Sequence, residues 1–135
     1  MVLARGGKLV LVVSPTIHNI KMKRVLIDGW ASLSIISPTA FHALEAPGKR
    51  LQPSLPIIGV TPGHTWPLGH VALPVNFGDS TNFRTERIDF DVANLNLPNN
   101  AVLGRPALVK FMAATHYAYL QMKMPSPSGP ITITP

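Results

Sequence analysis

The chain has 135 residues, enough for one domain with a real core and too few for two. Hydrophobic residues make up 46% and charged ones 13%, the reverse of a disordered segment, while 14 prolines and 10 glycines scattered along the chain favour short strands and turns over long helices. The absence of cysteine excludes disulfides, thiolate catalysis and cysteine metal sites, and a formal charge of +6 argues only weakly for nucleic acid, because the basic residues come singly or in small groups.

Residues 8–14, KLVLVVS, are apolar and β-branched and predict a strand broken at Pro15-Thr16. Residues 17–27, IHNIKMKRVLI, begin half-buried and end in the apolar run Val25-Leu26-Ile27, so the two pieces predict a hairpin, with the turn signal Asp28-Gly29 at its end. Leu33 to Ile36 is a short strand. Ser37-Pro38 reads as a helix start, with Ser as N-cap and Pro at the first helical position, and the helix runs to Leu44 before Pro47-Gly48. IIGV at 57–60, the turn-rich 61–69 and HVALPVNFG at 70–78 predict a hairpin with a Gly/Pro-rich tip. Val71, Leu73, Val75 and Phe77 fall at period two, and FRTERIDFDV at 83–92 alternates in the same way. Ala101-Val102-Leu103-Gly104 is a short buried strand, Arg105 to Ala113 a helix, and 117–124 with 131–134 a last hairpin joined by PSPSG. The expected architecture is a mostly β, compact, closed barrel with one or two short helices, a single domain over residues 1–135.

Longest among the apolar runs are stretches such as LVLVV at 9–13, far short of the roughly 20 residues of a membrane helix. The first residues lack the apolar region and cleavage site of a secretory signal. The expectation is an intracellular protein, cytoplasmic or nuclear, with no membrane partner. His18, His42, His64, His70 and His116 show no metal-ligand spacing, and Gly59, Gly63 and Gly69 are turn glycines around prolines, not a phosphate loop. No metal and no cofactor is expected.

One acid stands out. Asp28 follows a buried apolar run in a chain with six acidic residues. A buried carboxylate is costly unless something pairs with it or it has work to do. The other acids read as loops or strand faces: Glu45, Asp79, Glu86, Asp89 and Asp91.

The pieces LIDGWASLSIIS (26–37) and AVLGRPALVKFM (101–112) resemble the retropepsins, the retroviral-type aspartic protease domains. There an apolar strand delivers an Asp into a loop, and a hydrophobic-hydrophobic-Gly strand crosses beneath it before a helix. The whole run from about residue 9 to 134, including GVTPGHTWPLGHVALPVNFG, NFRTERIDFDV and HYAYLQMKMPSPSGPITI, is similar to the protease segment of plant gypsy-type LTR retrotransposon polyproteins. The resemblance implies a homodimer in which each chain supplies one Asp, here Asp28, acting on a peptide or polyprotein substrate. Peptide hydrolysis without a covalent intermediate needs one carboxylate to activate water and one carboxylic acid to protonate the carbonyl oxygen. The resemblance also implies that Gly29, Trp30 and Ala31 line the substrate cleft. Segment 57–70 would be a flap presenting Val60, His64 and Trp66.

The loop departs from the family pattern. The family loop is Asp-Thr/Ser-Gly or, in many plant elements, Asp-Gly-Gly, and Gly29 lacks the Thr or Ser hydroxyl that braces the two catalytic loops across the dimer. Trp30 replaces a Gly that lets the backbone approach the carboxylates. Its indole has three places to go: into the cleft, against the second subunit, or outward. Gly104 is expected to serve close packing under the loop, and Arg105 to form a structural ion pair. Two further function classes stand beside the protease: a catalytically degenerate domain that binds a host protein in its old cleft, and, last, a basic nucleic-acid binder.

Overall fold

The computed structural model describes residues 2–5, 8–44, 69–95 and 99–135. Twelve strands and two short α-helices are formed there. The strands are β1 (Val2–Arg5), β2 (Lys8–Val13), β3 (Thr16–Ile17), β4 (Ile20–Lys21), β5 (Val25–Ile27), β6 (Ser34–Ile36), β7 (Gly69–Gly78), β8 (Phe83–Val92), β9 (Ala101–Leu103), β10 (Ala114–His116), β11 (Gln121–Met124) and β12 (Ile131–Ile133). The helices are α1 (Pro38–Leu44) and α2 (Arg105–Phe111). Nine strands make one curled sheet in the order β1-β2-β5-β9-β6-β8-β7-β3-β4, and β10-β11-β12 make a second, antiparallel sheet.

Hydrophobic pattern decides which faces are covered. β7 buries Val71, Leu73, Val75 and Phe77, and β8 buries Ile88, Phe90 and Val92 while exposing residues 85, 87 and 89. These strands pair antiparallel from Gly69↔Val92 to Gly78↔Phe83. Gly78 turns the corner at φ +113°, where a Cβ would stand 2.2 Å from the Asn82 carbonyl oxygen. Asp79 closes the turn, its Oδ1 accepting from the Thr81 N–H at 2.8 Å, the Thr81 hydroxyl at 2.6 Å and the Asn82 N–H at 3.0 Å.

β5 and β9 are buried on both faces, as their unbroken apolar runs require. Val25, Ile27, Ala101 and Leu103 face the main core with Phe90 and Phe111. Leu26 and Val102 pack on the other side with Val12, Ala31 and Leu95. β9 pairs parallel with β5 and antiparallel with β6, so it threads between the two strands that flank the Asp28 loop.

α1 starts as its sequence indicates: Ser37 Oγ accepts the Ala40 N–H at 3.1 Å. α2 has no side-chain N-cap and ends with Met112 in the left-handed region at φ 51°. Arg84 on β8 satisfies its last carbonyls. One Nη donates to Lys110 O at 3.1 Å, another to Phe111 O, and the guanidinium lies 5.4 Å from the Phe111 ring centroid.

Three segments differ from expectation. Residues 17–27 do not form one strand opposite 8–14. β5 does pair with β2, but His18 and Asn19 both take positive φ, 49° and 66°, and fold β3 and β4 into a separate small hairpin. α2 stops at Phe111 rather than Ala113 because Met112 leaves the helical region. Residues 117–119 form a 3-10 turn, and Leu120 at φ 52° delays the strand to Gln121. β1 and β10 were not anticipated. The predicted partner strand 57–60 lies outside the described residues.

Candidate active site

β5 ends at Ile27, and the next residue is the acid. Asp28 is buried, with 7% of its surface exposed. Its N–H continues the ladder to β9 by donating to Leu103 O at 3.0 Å, so the strand beneath fixes where the side chain leaves the sheet. The chain then turns: Ala31 N–H donates to Asp28 O at 3.1 Å, and Trp30 N–H donates to Asp28 Oδ1 at 3.0 Å. An amide aimed at a carboxylate oxygen fixes the side chain's rotamer.

Below the loop, Gly104 packs as expected. A Cβ there would stand 2.2 Å from Leu33 O and 2.8 Å from Ala31 O. The Gly104 N–H donates to the hydroxyl of Ser34, a buried polar residue at the start of β6. Arg105 then holds the loop from α2. Its N–H donates to Ala31 O at 2.8 Å and its Nε–H to Gly29 O at 3.1 Å. Among the described residues the expected ion pair at Arg105 is replaced by a bond to a backbone carbonyl, which the side chain meets as it leaves the first turn of the helix.

Trp30 points outward, 64% exposed. With Ser32, Arg105, Pro106 and Val109 it lines a pocket of about 500 Å³ beside the loop. Its backbone lies outside the left-handed region, so position 30 does not demand glycine here. Gly29 does not demand it either: a Cβ would meet only Leu108 Cδ1, at an ordinary 3.6 Å. Ala31 packs against Leu26 and Val102. The loop thus brings Asp28, Gly29, Trp30 and Ala31 together. Val60, His64 and Trp66 lie outside the described residues.

Sequence reasoning passed over Ser34 and the close polar contact between His70 Nδ1 and Asp91 Oδ1. Ser34 gave a faint signal, one hydroxyl in an apolar strand. His70 and Asp91 become partners only when 70–78 is paired with 83–92, a register set by the Gly78 turn. Among the described residues no three ligating side chains cluster to hold a metal ion, and no helix is long and apolar enough to cross a membrane.

No protein-family model and no curated protein matches the sequence. Solved structures do. The retroviral protease-like domain of Ddi1 from Leishmania major superposes with a TM-score of 0.58 at 13% identity, over 93% of each chain. A retropepsin-like aspartic protease from Rickettsia conorii gives a TM-score of 0.49 at 13% identity, over 98% of this chain and 88% of that one. The fold is the retropepsin-like one, mostly β, with two short helices among the described residues. Its buried loop acid there, Asp28, directly follows β5, which pairs parallel with β9.

Proposed function

We propose that this chain is one half of a homodimeric aspartic endopeptidase, with Asp28 of each copy forming the catalytic pair. The observation that carries the reading is the setting of Asp28: buried, at the end of a strand covered on both faces, and oriented by the Trp30 amide. Two carboxyls brought into contact share one proton, since both cannot ionise, and so supply the base and the acid that water attack on a peptide requires. Aspartic proteases are the standard instance of that arrangement. A single chain that offers one such acid completes the pair through a two-fold axis. The substrate is a polyprotein of the retrotransposon type, by the resemblance to plant gypsy-type elements, and the compartment is intracellular.

Cleavage of a polyprotein-derived peptide at mildly acidic pH tests this, with Asp28→Asn as the control. Loss of turnover in the variant supports the reading; an unchanged rate removes it.

A second reading rests on Trp30. Its exposed indole beside the pocket at Ser32, Arg105, Pro106 and Val109 suits a domain that has kept the fold as a protein-binding module. Under that reading Trp30→Ala abolishes capture of a host protein, and Asp28→Asn leaves it intact.

A further inference from the structure

Arg105 Nε–H donates to Gly29 O, and Trp30 N–H donates to Asp28 Oδ1. The Gly29 carbonyl and the Trp30 amide are the two ends of one peptide unit. That unit is planar, so its oxygen and its N–H cannot be aimed independently. We infer that Arg105 is the positioning residue of the Asp28 carboxyl: it acts through the Gly29–Trp30 peptide, a relay running from guanidinium to carbonyl to amide to carboxylate oxygen.

Three observations support the relay. The two bonds are 3.1 and 3.0 Å long, within the normal hydrogen-bond range. A cation bound to a carbonyl oxygen draws electron density from the amide and makes its N–H a stronger donor, the cooperative strengthening expected along a hydrogen-bonded chain. The loop is also clamped on the far side of Trp30, because the Arg105 N–H takes Ala31 O at 2.8 Å. One residue therefore fixes the carbonyls on both sides of the residue whose N–H orients Asp28. It reaches them because Gly104, lacking a Cβ, lets the chain pass against Leu33 O and Ala31 O.

The relay also bears on the glycine at position 29. That residue has no hydroxyl with which to brace the loop from a second copy. Arg105 supplies the bracing from within the same chain.

The inference rests on the protease reading only for its consequence in turnover; the relay itself is read without cleavage. The full chain, isotope-labelled, is compared by NMR as wild type, Arg105→Ala and Arg105→Lys. In Arg105→Ala the Trp30 amide proton moves upfield and exchanges about tenfold faster, the scale of losing a charge-assisted bond. Amides of β7 and β8 keep their wild-type protection. Arg105→Lys, whose ammonium can also donate to Gly29 O, restores most of the shift. In a cleaving enzyme Arg105→Ala lowers kcat more than it changes KM.

An unmoved Trp30 amide in Arg105→Ala overturns the relay. So does a loosening of Trp30 matched by equal loosening in β7 and β8, which means general destabilisation. A kcat that survives intact in a cleaving enzyme overturns the positioning role. If Asp28→Asn cleaves like wild type, the protease reading falls, and the Trp30 resonance still decides the relay.

Discussion

The Gly104 backbone passes so close to Leu33 that a Cβ at position 104 would stand 2.2 Å from the Leu33 carbonyl oxygen. The atoms it would meet, Leu33 O and Ala31 O, are both backbone of the loop that carries Asp28, so neither yields as a flexible side chain would. Gly104→Ala is therefore expected to destabilise the protein by about 2 kcal/mol or more, as forced overpacking does. Urea unfolding measures it; a change under about 0.5 kcal/mol would contradict the packing described.

Gly29 behaves in the opposite way. The nearest atom to a Cβ there is Leu108 Cδ1 at 3.6 Å, and the backbone is not in the left-handed region. Gly29→Ser is expected to leave stability within about 0.5 kcal/mol, since no strain is introduced. If two copies meet at this loop, the new hydroxyl strengthens their contact, and the dimer tightens by roughly fivefold, one modest hydrogen bond. Sedimentation equilibrium reads the dimer constant. A weaker dimer would show that the loops do not face each other.

Ser34 is 4% exposed, and its hydroxyl accepts the Gly104 N–H at 3.1 Å. Ser34→Ala leaves a buried amide without its acceptor and is expected to cost about 1–3 kcal/mol. Ser34→Thr keeps the acceptor and is expected to cost less. Thermal melts of the two variants separate them; equal loss in both would assign the effect to packing.

Arg84 holds Glu86 at 2.9 Å, but the carboxylate side is about a third exposed and contributes little on its own. Its larger role is at the end of α2, where it takes the carbonyls of Lys110 and Phe111. Arg84→Met is expected to lower stability by about 1–3 kcal/mol and Glu86→Gln by under about 0.5 kcal/mol. The reverse order in urea melts would rule out the capping role.

The Asp79 turn carries a pH dependence of known sign. Bonds from the Thr81 hydroxyl, the Thr81 N–H and the Asn82 N–H hold its carboxyl below the usual carboxylate value. A carboxyl depressed in the folded state stabilises that state above its unfolded pKa, and the contribution fades as pH falls through the folded pKa. The stability difference between wild type and Asp79→Ala is thus expected to be full near about pH 6 and to shrink below about pH 4. Urea midpoints across that range measure it; a difference that grows on acidification would contradict the assignment.

Much of the fold was legible because one face of each long strand is buried. The period-two pattern of Val71 to Phe77 and the alternation of 83–92 mark β7 and β8 to within a residue, and the unbroken runs at 25–27 and 101–103 mark strands covered on both faces. The breaks were less legible, because they depend on single residues taking positive φ: His18, Asn19, Met112 and Leu120 carry no proline or glycine to announce them. The position of Asp28 and the packing of Gly104 followed from residue type and order. The grip of Arg105 on Gly29 O did not, since a guanidinium 76 residues away in sequence can find a carboxylate or a carbonyl, and only the folded geometry chooses.

Mixing wild type with Asp28→Asn at constant total concentration tests most directly whether two copies share one site. A pair that needs both carboxyls loses activity as the square of the wild-type fraction, so an equal mixture retains about a quarter of the rate once subunits have exchanged. Retention of half the rate, falling linearly with wild-type fraction, would mean that each chain works alone and that Asp28 is not half of a shared pair.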